Sequence, residues 1–428
     1  MTVRPVRAAD ALGRGERTAI YLVLLFASLA YNYNFVLVDY IRPFLTRHAG
    51  MSLADTAWLY TAQGAGVLTG SAIAPVLVSR HGSKRVLVCA LTLLCGLTIL
   101  NELVTEFRAW LVMRFLVGLM LTGTYTSSTT MLANLFPPHV RGRLLSINMS
   151  MFSVALLSIG SLGALVGEDG WRTLVRIGAA APAAAAVLTL LFLPDDRGIA
   201  VFGDGEQATV ANDVRGTWRE MLTGRRLRLT LACLLLAGLN FSAYQFYSGF
   251  ITTYLLEVRH FSARLTGLFV TVDGIGTLLG SLMWGILADR YGRRVNAAGF
   301  ALAAAFTLAF LVAPVSTPVL LAVELGYAIC LSCTNIWAAY FAELFPVRLR
   351  PMGTALFHGG HVVSLLAPVI VTVVAAHAGL VVGMALAPAT FLLGALIWAT
   401  LPETLRTAPL YRGFSAELAG RPELSVRS

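Results

Sequence analysis

The chain has 428 residues, of which 57% are hydrophobic and only 13% charged, with a mean hydropathy of +0.75. Soluble domains carry about a quarter charged residues, so this composition excludes a water-soluble enzyme or binding module and points to a membrane protein. The net charge of +10 does not mark a nucleic-acid binder, which would gather its cations on one folded basic face; here Lys and Arg sit in short loops between apolar runs.

Taken in order, residues 1–17 form a polar arm carrying Arg4, Arg7, Arg14 and Arg17. The run from Thr18 has the look of a signal-peptide core, with Ala27-Ser-Leu-Ala30 as a cleavage-like stretch. It continues through Tyr31 to Leu45, and so reads as a retained first span. A hydrocarbon core ~30 Å thick needs about 20 apolar residues per helix. Twelve such spans are expected: 18–45, 57–78, 86–104, 109–134, 144–166 and 173–193, then 228–256, 265–288, 296–313, 317–342, 353–376 and 380–401. Residues 18–193 and 228–401 are thereby two six-helix bundles, joined by a polar linker at 194–227 and followed by a tail at 402–428. With the N-terminus inside, most of the 32 Lys and Arg lie on the cytoplasmic side, while Arg47, Arg108, Arg172, Arg259 and Arg264 lie opposite. That asymmetry places both termini in the cytoplasm.

The two halves repeat. Gly64, Gly66, Gly70, Ser71, Leu77, Arg80 and Gly82 recur 210 positions later as Gly274, Gly276, Gly280, Ser281, Leu287, Arg290 and Gly292. Ala133-Asn-Leu-Phe-Pro-Pro-His-Val-Arg141 is echoed by Ala342-Glu-Leu-Phe-Pro-Val-Arg-Leu-Arg350, and Tyr40-Ile-Arg-Pro-Phe-Leu45 by Phe250-Ile-Thr-Thr-Tyr-Leu255. Duplicated sets of six spans are the mark of an internally repeated transporter.

Gly285-Ile-Leu-Ala-Asp-Arg-Tyr-Gly-Arg-Arg294 resembles the turn motif of the major facilitator superfamily, and the resemblance extends over essentially the whole chain. It implies an all-α membrane protein of twelve transmembrane helices in two pseudo-symmetric bundles. The first copy of the motif departs from the family pattern, with Pro75 for Gly, Ser79 for Asp and Ser83 for Arg. In the family these turns latch the bundles at the cytoplasmic face, which assigns gating to Arg80, Arg85, Asp289, Arg290 and Arg293, together with Arg141, Glu343 and Arg350 in the later turns. For the first turn, a plain positive-inside loop accounts equally for Arg80, Lys84 and Arg85. Arg114-Phe-Leu-Val-Gly118 resembles the Arg-x-x-x-Gly element that the family links to proton coupling. Phe136-Pro-Pro-His-Val-Arg-Gly142, Glu343-Leu-Phe-Pro-Val-Arg-Leu-Arg350 and Leu401-Pro-Glu-Thr404 resemble turns of its organic-acid, metabolite and sugar uptake branches. Drug antiporters of the family show a Gly-Pro pair in the fifth span, where this chain has Gly160-Ser-Leu-Gly163. Aromatic-acid symporters place two acids in the first span at positions occupied here by Tyr31 and Asn34, so a coupling carboxylate must lie elsewhere.

Ionisable groups inside a bilayer cost several kcal/mol and are functional candidates by default. Asp273 in the eighth span, whose repeat partner is Gln63, is suited to binding and releasing a proton; the alternative is a structural carboxylate held by hydrogen bonds or an Arg. Glu324 in the tenth span reads either as a second proton site or as an ion-pair partner. Arg114 needs an acid, carbonyls or an anionic cargo, and Asp39 is its candidate partner, unless Asp39 pairs with Arg42 three residues on. His358 and His361 share one face of the eleventh span, as a proton relay or as substrate contacts. Tyr31 and Asn34 in the first span, Gln63 in the second, Tyr125 in the fourth, Tyr244 and Gln245 in the seventh, and Asn335, Trp337 and His358 are the expected cavity lining, with Arg114.

Cys330-Leu-Ser-Cys333 has metal-ligand spacing but no second pair, and reads as buried small residues. No phosphate-binding glycine loop and no nucleophile with a base is present, so ATP-driven pumping, enzymatic activity, cofactors and metals are not expected. The sequence therefore anticipates a monomeric secondary transporter of the inner or plasma membrane, moving a small organic acid or polar metabolite with protons. An exporter of drugs or natural products is the alternative, and a non-transporting sensor of the same fold a more distant one.

Overall fold

The computed structural model describes residues 7–8, 12–104, 106–195, 199–200, 219–312, 316–346 and 349–405. Among these, twelve helices are long and apolar enough to cross a membrane. The first half contains α1 (Arg14–His48), α2 (Leu53–His81), α3 (Ser83–Leu103), α4 (Phe107–Leu135), α5 (Arg143–Val166) and α6 (Trp171–Phe192). The second contains α7 (Arg226–Val258), α8 (Ala263–Tyr291), α9 (Arg293–Val312), α10 (Thr317–Glu343), α11 (Met352–Ala378) and α12 (Leu380–Thr400). Helix α1 starts four residues before the expected boundary, its polar first turn tied by Thr18 Oγ1 donating to the Arg14 carbonyl at 3.0 Å. Most of the expected linker and residues 406–428 of the tail lie outside the described residues. Arg7–Ala8 pairs in parallel with Ile199–Ala200, which places arm and linker at one end of the molecule. That end is the linker side below; the opposite end is the far side.

Local chemistry sets the helix ends. Ser52 and Asp55 form a reciprocal cap at the start of α2, with Ser52 Oγ accepting the Asp55 amide at 3.1 Å and Asp55 Oδ2 accepting the Ser52 amide at 2.9 Å. Ser262 caps α8 at the equivalent place, accepting from the Leu265 amide at 3.3 Å. On the linker side, the turns after α2 and α8 each pivot on a glycine with positive φ, Gly82 at 83° and Gly292 at 104°. These repeat partners occupy a backbone region that side chains disfavour.

Small residues set how closely the helices approach. A Cβ on Gly66 would collide with the Phe115 carbonyl, and one on Gly118 with the Gln63 carbonyl, so α2 and α4 touch backbone to backbone. Gly276 and Gly280 do the same for α8 against α10. Two further seams join the halves. Gly160 and Gly267 bring α5 and α8 together, while Gly64 meets Leu365 and Thr61 Oγ1 donates to the Leu365 carbonyl at 2.9 Å, joining α2 to α11.

Far-side contacts close that end. Arg47 at the end of α1 reaches Glu168 after α5 at 2.6 Å and Glu257 of α7 at 2.7 Å. Thr252 Oγ1 of α7 donates to the Asp39 carbonyl at 3.0 Å, and the Arg42 guanidinium lies 4.1 Å over the Phe250 ring. The segments matched in sequence around Tyr40 and Phe250 thus meet face to face. Several helices are interrupted along their length: α7 tightens at Ser248–Phe250, α10 at Ser332–Ile336, and α11 breaks after Gly359 and again before Ala367. Irregular backbone inside a membrane is tolerated where it lines a cavity or is covered by protein.

Candidate functional site

A cavity of about 200 Å³ lies between the halves. It runs from Tyr31, Tyr125 and Tyr244 at mid-depth toward Asn148 and Thr354 on the linker side. The first half contributes Tyr31, Asn32, Phe35, Tyr60, Tyr125, Asn148 and Phe152; the second contributes Asn240, Phe241, Tyr244, Asn335, Trp337, Phe357, His358 and His361. Its walls are therefore aromatic rings and uncharged polar groups.

The rings form a connected set. Tyr31 packs on Phe35 and Tyr125, with centroids 6.3 and 5.8 Å apart. Tyr125 meets His358 edge-on at 4.8 Å, crossing from α4 to α11. His361 stacks on Phe241 at 3.8 Å and 16°, and Phe152 of α5 meets Tyr244 of α7 at 6.1 Å. The break at Gly359–Gly360 allows this: a Cβ on Gly360 would strike the Ala237 and Gly238 backbone of α7. Without that close approach, His361 would not reach Phe241.

Of the expected lining residues, Tyr31, Tyr125, Tyr244, Asn335, Trp337 and His358 do line the cavity, and so does His361. Four others do not. Asn34 turns away, donating Nδ2 to the Gly178 carbonyl at 2.7 Å and accepting from Thr98 Oγ1 at 3.0 Å, so it packs α1 on α6 and α3. Gln63, Arg114 and Gln245 are buried behind the wall. Gln63 bridges α1 and α4, with Nε2 on the Phe35 carbonyl at 3.3 Å and Oε1 accepting from Arg114 Nη1 at 3.4 Å. Arg114 also lies 5.3 Å from the Trp110 ring centroid.

The partner of Asp39 is the nearer of its two candidates. Arg42 Nη2 donates to Asp39 Oδ1 at 2.8 Å, and both side chains are buried. A local pair one turn apart needs no rearrangement to form, whereas Arg114 stands on another helix. Gln245 Nε2 completes the Asp39 site from the second half at 3.2 Å.

The second half holds its own acids. Glu324 is buried and accepts from Tyr247 Oη at 2.6 Å. Tyr247 packs on Tyr327, whose hydroxyl is 2.8 Å from Ser248 Oγ. Asp273 is buried within electrostatic reach of Glu324, Tyr327 and Tyr244, and its Oδ1 has no protein hydrogen-bond partner among the described residues. Tyr244, on the cavity wall, is thus within electrostatic reach of Asp273.

On the linker side, the expected gating residues divide. Arg293 joins Asp289 at 2.7 Å and Glu343 at 3.0 Å, and Thr404 Oγ1 donates to Glu343 at 2.5 Å. Arg85 meets Asp195 at 3.6 Å, Arg141 donates to the Phe136 carbonyl at 3.3 Å, and Arg290 lies 5.5 Å over Tyr291. Arg80 and Arg350 are exposed. The second-half turn is therefore a charged network built on Asp289 and Glu343, while its first-half counterpart has Ser79 in the acid position and Arg85 pairs with Asp195 instead. Sequence reading missed Phe35, Tyr60, Phe152, Phe241 and Phe357 of the cavity. Phe241 and Tyr244 stand three apart on one face, as do Phe357 and His361 at four, a spacing that marks a shared wall once one member is placed.

The chain matches the family model of the Major Facilitator Superfamily over residues 21–337, and again over 233–421. It is 21% identical to the 4-hydroxybenzoate transporter PcaK of Acinetobacter baylyi, over 75% of this chain and 77% of that protein. It is 22% identical to the sialic acid transporter NanX of Escherichia coli, over 84% and 87% respectively. Its backbone superposes on the inward-open xylose transporter XylE from E. coli with a TM-score of 0.70 at 15% identity, covering 93% of this chain and 99% of that one. Twelve spans, a duplicated half and a family match across both copies converge: the chain belongs to the Major Facilitator Superfamily.

Proposed function

We propose that this protein takes up a small organic acid together with protons, by alternating access, across the inner or plasma membrane with both termini in the cytoplasm. The observation that carries this reading is the cavity shared by the halves, with the carboxyls of Asp39, Asp273 and Glu324 buried just behind its walls. The two relatives are named for carboxylic acids, 4-hydroxybenzoate and sialic acid, which supports an acid as cargo. In this reading the monomer is the working unit.

In this cycle Asp273, or Glu324 beside it, takes a proton as cargo enters from the far side, and Tyr244 on the cavity wall stands within electrostatic reach of Asp273. Occupancy lets the halves rock until the cavity opens on the linker side, where cargo and proton leave. Such rocking is how duplicated transporters alternate access. When the linker side closes in the opposite half of the cycle, the turns around Arg293 and Arg85, each braced within its own half, come together.

The test is uptake of labelled 4-hydroxybenzoate into proteoliposomes under an imposed pH gradient. The wild-type chain accumulates it above the outside concentration, and Asp273→Asn retains exchange but loses accumulation. Accumulation undiminished in Asp273→Asn would remove that residue as the coupling site.

A further inference from the structure

We propose that His358 and His361 together receive the acid group of the cargo, and that the cargo is a flat, single-ring carboxylic acid. This rests on the reading of the chain as an organic-acid transporter and assigns the groups that recognise the acid.

Both imidazoles line the cavity from one face of α11, with ring centroids 6.4 Å apart and planes within 21°. Among the described residues neither ring hydrogen-bonds a protein group. A neutral imidazole offers one N–H donor and one acceptor nitrogen. Two of them one turn apart can each give an N–H to one oxygen of the same carboxylate. Their planes are fixed by neighbours: Phe241 stacks on His361 at 3.8 Å, while Tyr125 at 4.8 Å and Phe357 at 5.1 Å hold His358 edge-on.

No arginine or lysine lines the cavity among the described residues. Arg42 is engaged by Asp39, and Arg114 sits behind the wall against Gln63. This suits a carrier. A guanidinium would add a full opposite charge and a bidentate fork to the carboxylate contact, which two neutral imidazole N–H donors do not, and cargo must also be released. Opposite the histidines, Tyr31 and Phe35 of α1 present ring surface for a flat cargo. The cavity volume of about 200 Å³ falls below the ~300–1,000 Å³ of sites for drug-sized ligands, which suits a cargo of one ring.

The experiment uses the full chain in proteoliposomes, with labelled benzoate as probe and benzamide, D-xylose and N-acetylneuraminate as competitors. Benzoate is carried and outcompetes all three. His358→Phe and His361→Phe keep the ring but remove the N–H, and each raises the KM for benzoate about tenfold, the loss of one hydrogen bond to a charged group, with the maximal rate little changed. Gln at either position restores most of the affinity. In the wild-type chain, benzoate also shields His358 and His361 from acylation, read peptide by peptide by mass spectrometry, so the outcome does not depend on variants that fold. Benzoate transport with unchanged KM in both Phe variants and no shielding would overturn the histidine receptor and leave the transporter reading standing. Preference for N-acetylneuraminate over benzoate would overturn the flat-ring assignment. A wild-type chain that moves no carboxylic acid would overturn this inference and the broader reading together.

Discussion

Gln245 of α7 donates its Nε2–H to Asp39 Oδ2 of α1 at 3.2 Å, so one carboxylate, already paired with Arg42 at 2.8 Å, ties the two halves together. A buried hydrogen bond to a charged group contributes about 1.5–3 kcal/mol. Gln245→Leu keeps the size of the side chain and removes the bond, favouring opening of the far side. A cysteine at Leu256, buried in the far-side seam, reports this in a chain whose five native cysteines are replaced. Its labelling by a soluble maleimide should accelerate about tenfold or more, the population shift that such an energy produces. An unchanged labelling rate would show that the contact does not hold the seam.

Arg47 makes a more exposed version of the same bridge, with side chains of Arg47, Glu168 and Glu257 at 31%, 40% and 41% exposure. Ion pairs in that setting contribute about 0–1 kcal/mol. Arg47→Ala should therefore speed labelling of the same cysteine by no more than about fivefold, and raised salt should erase the difference. A larger, salt-independent effect would mean that the pair is shielded from water.

The architecture was legible in the sequence because it is written in coarse variables. Apolar run length gave the twelve spans, and the repeat of Gly82 in Gly292 anticipated two turns that share a positive φ. Individual site residues were harder, because facing direction depends on helix rotation. Asn34 and Tyr31 are neighbours in the same polar stretch, yet Tyr31 enters the cavity while Asn34 is taken by the Gly178 carbonyl and Thr98. Phe35 and Phe241 went unnoticed because a phenylalanine in a span ordinarily packs in the core or faces lipid. Arg114 drew attention as a charge in the membrane, but nothing in its local sequence showed that it would be buried against Gln63 and not line the cavity.

Glycines at two kinds of seam should respond differently to the same change. A Cβ on Gly118 strikes the Gln63 carbonyl inside the first half, and one on Gly160 strikes the Thr271 amide between the halves. The α2–α4 contact has no reason to part during the cycle, so Gly118→Ala should cost about 1–3 kcal/mol of stability, the usual penalty of overpacking, and lower the melting temperature. The α5–α8 seam can relieve the clash by opening. Gly160→Ala should melt near the wild-type temperature but label faster at the Leu256 cysteine. Equal loss of stability in both variants would contradict a separable seam.

Glu403 braces the linker end of the second half by a route that ion-pair reasoning overlooks. Its Oε1 accepts the Arg293 amide at 2.9 Å and its Oε2 accepts the Arg294 amide at 3.0 Å, pinning the chain after α12 to the turn between α8 and α9. A fully buried amide left unsatisfied costs about 1–3 kcal/mol, and these two, being partly buried, fall toward the lower end of that range. Glu403→Ala should lower the melting temperature clearly, whereas Glu403→Gln, which keeps an acceptor but not the charge, should recover much of the loss. If both variants melt with the wild-type chain, water replaces the carboxylate without cost.

Arg114 separates cargo recognition from coupling. Its Nη1 reaches Gln63 Oε1 at 3.4 Å, its guanidinium lies over Trp110, and its Nε and Nη2 have no protein hydrogen-bond partner among the described residues. A planar group held this way is not replaced by an ammonium, so Arg114→Lys is a substantial change behind the cavity wall. Because the side chain does not line the cavity, the KM for a carried acid should stay within about threefold, less than the tenfold that removal of one good hydrogen bond produces. The concentration gradient that the transporter sustains under a pH gradient should fall, because a rearranged charge alters the buried Gln63 and Asp39 sites. The two readouts come from one preparation: initial rates over a range of benzoate concentrations, then the plateau of accumulation. A tenfold rise in KM with the plateau preserved would place the guanidinium against the cargo instead.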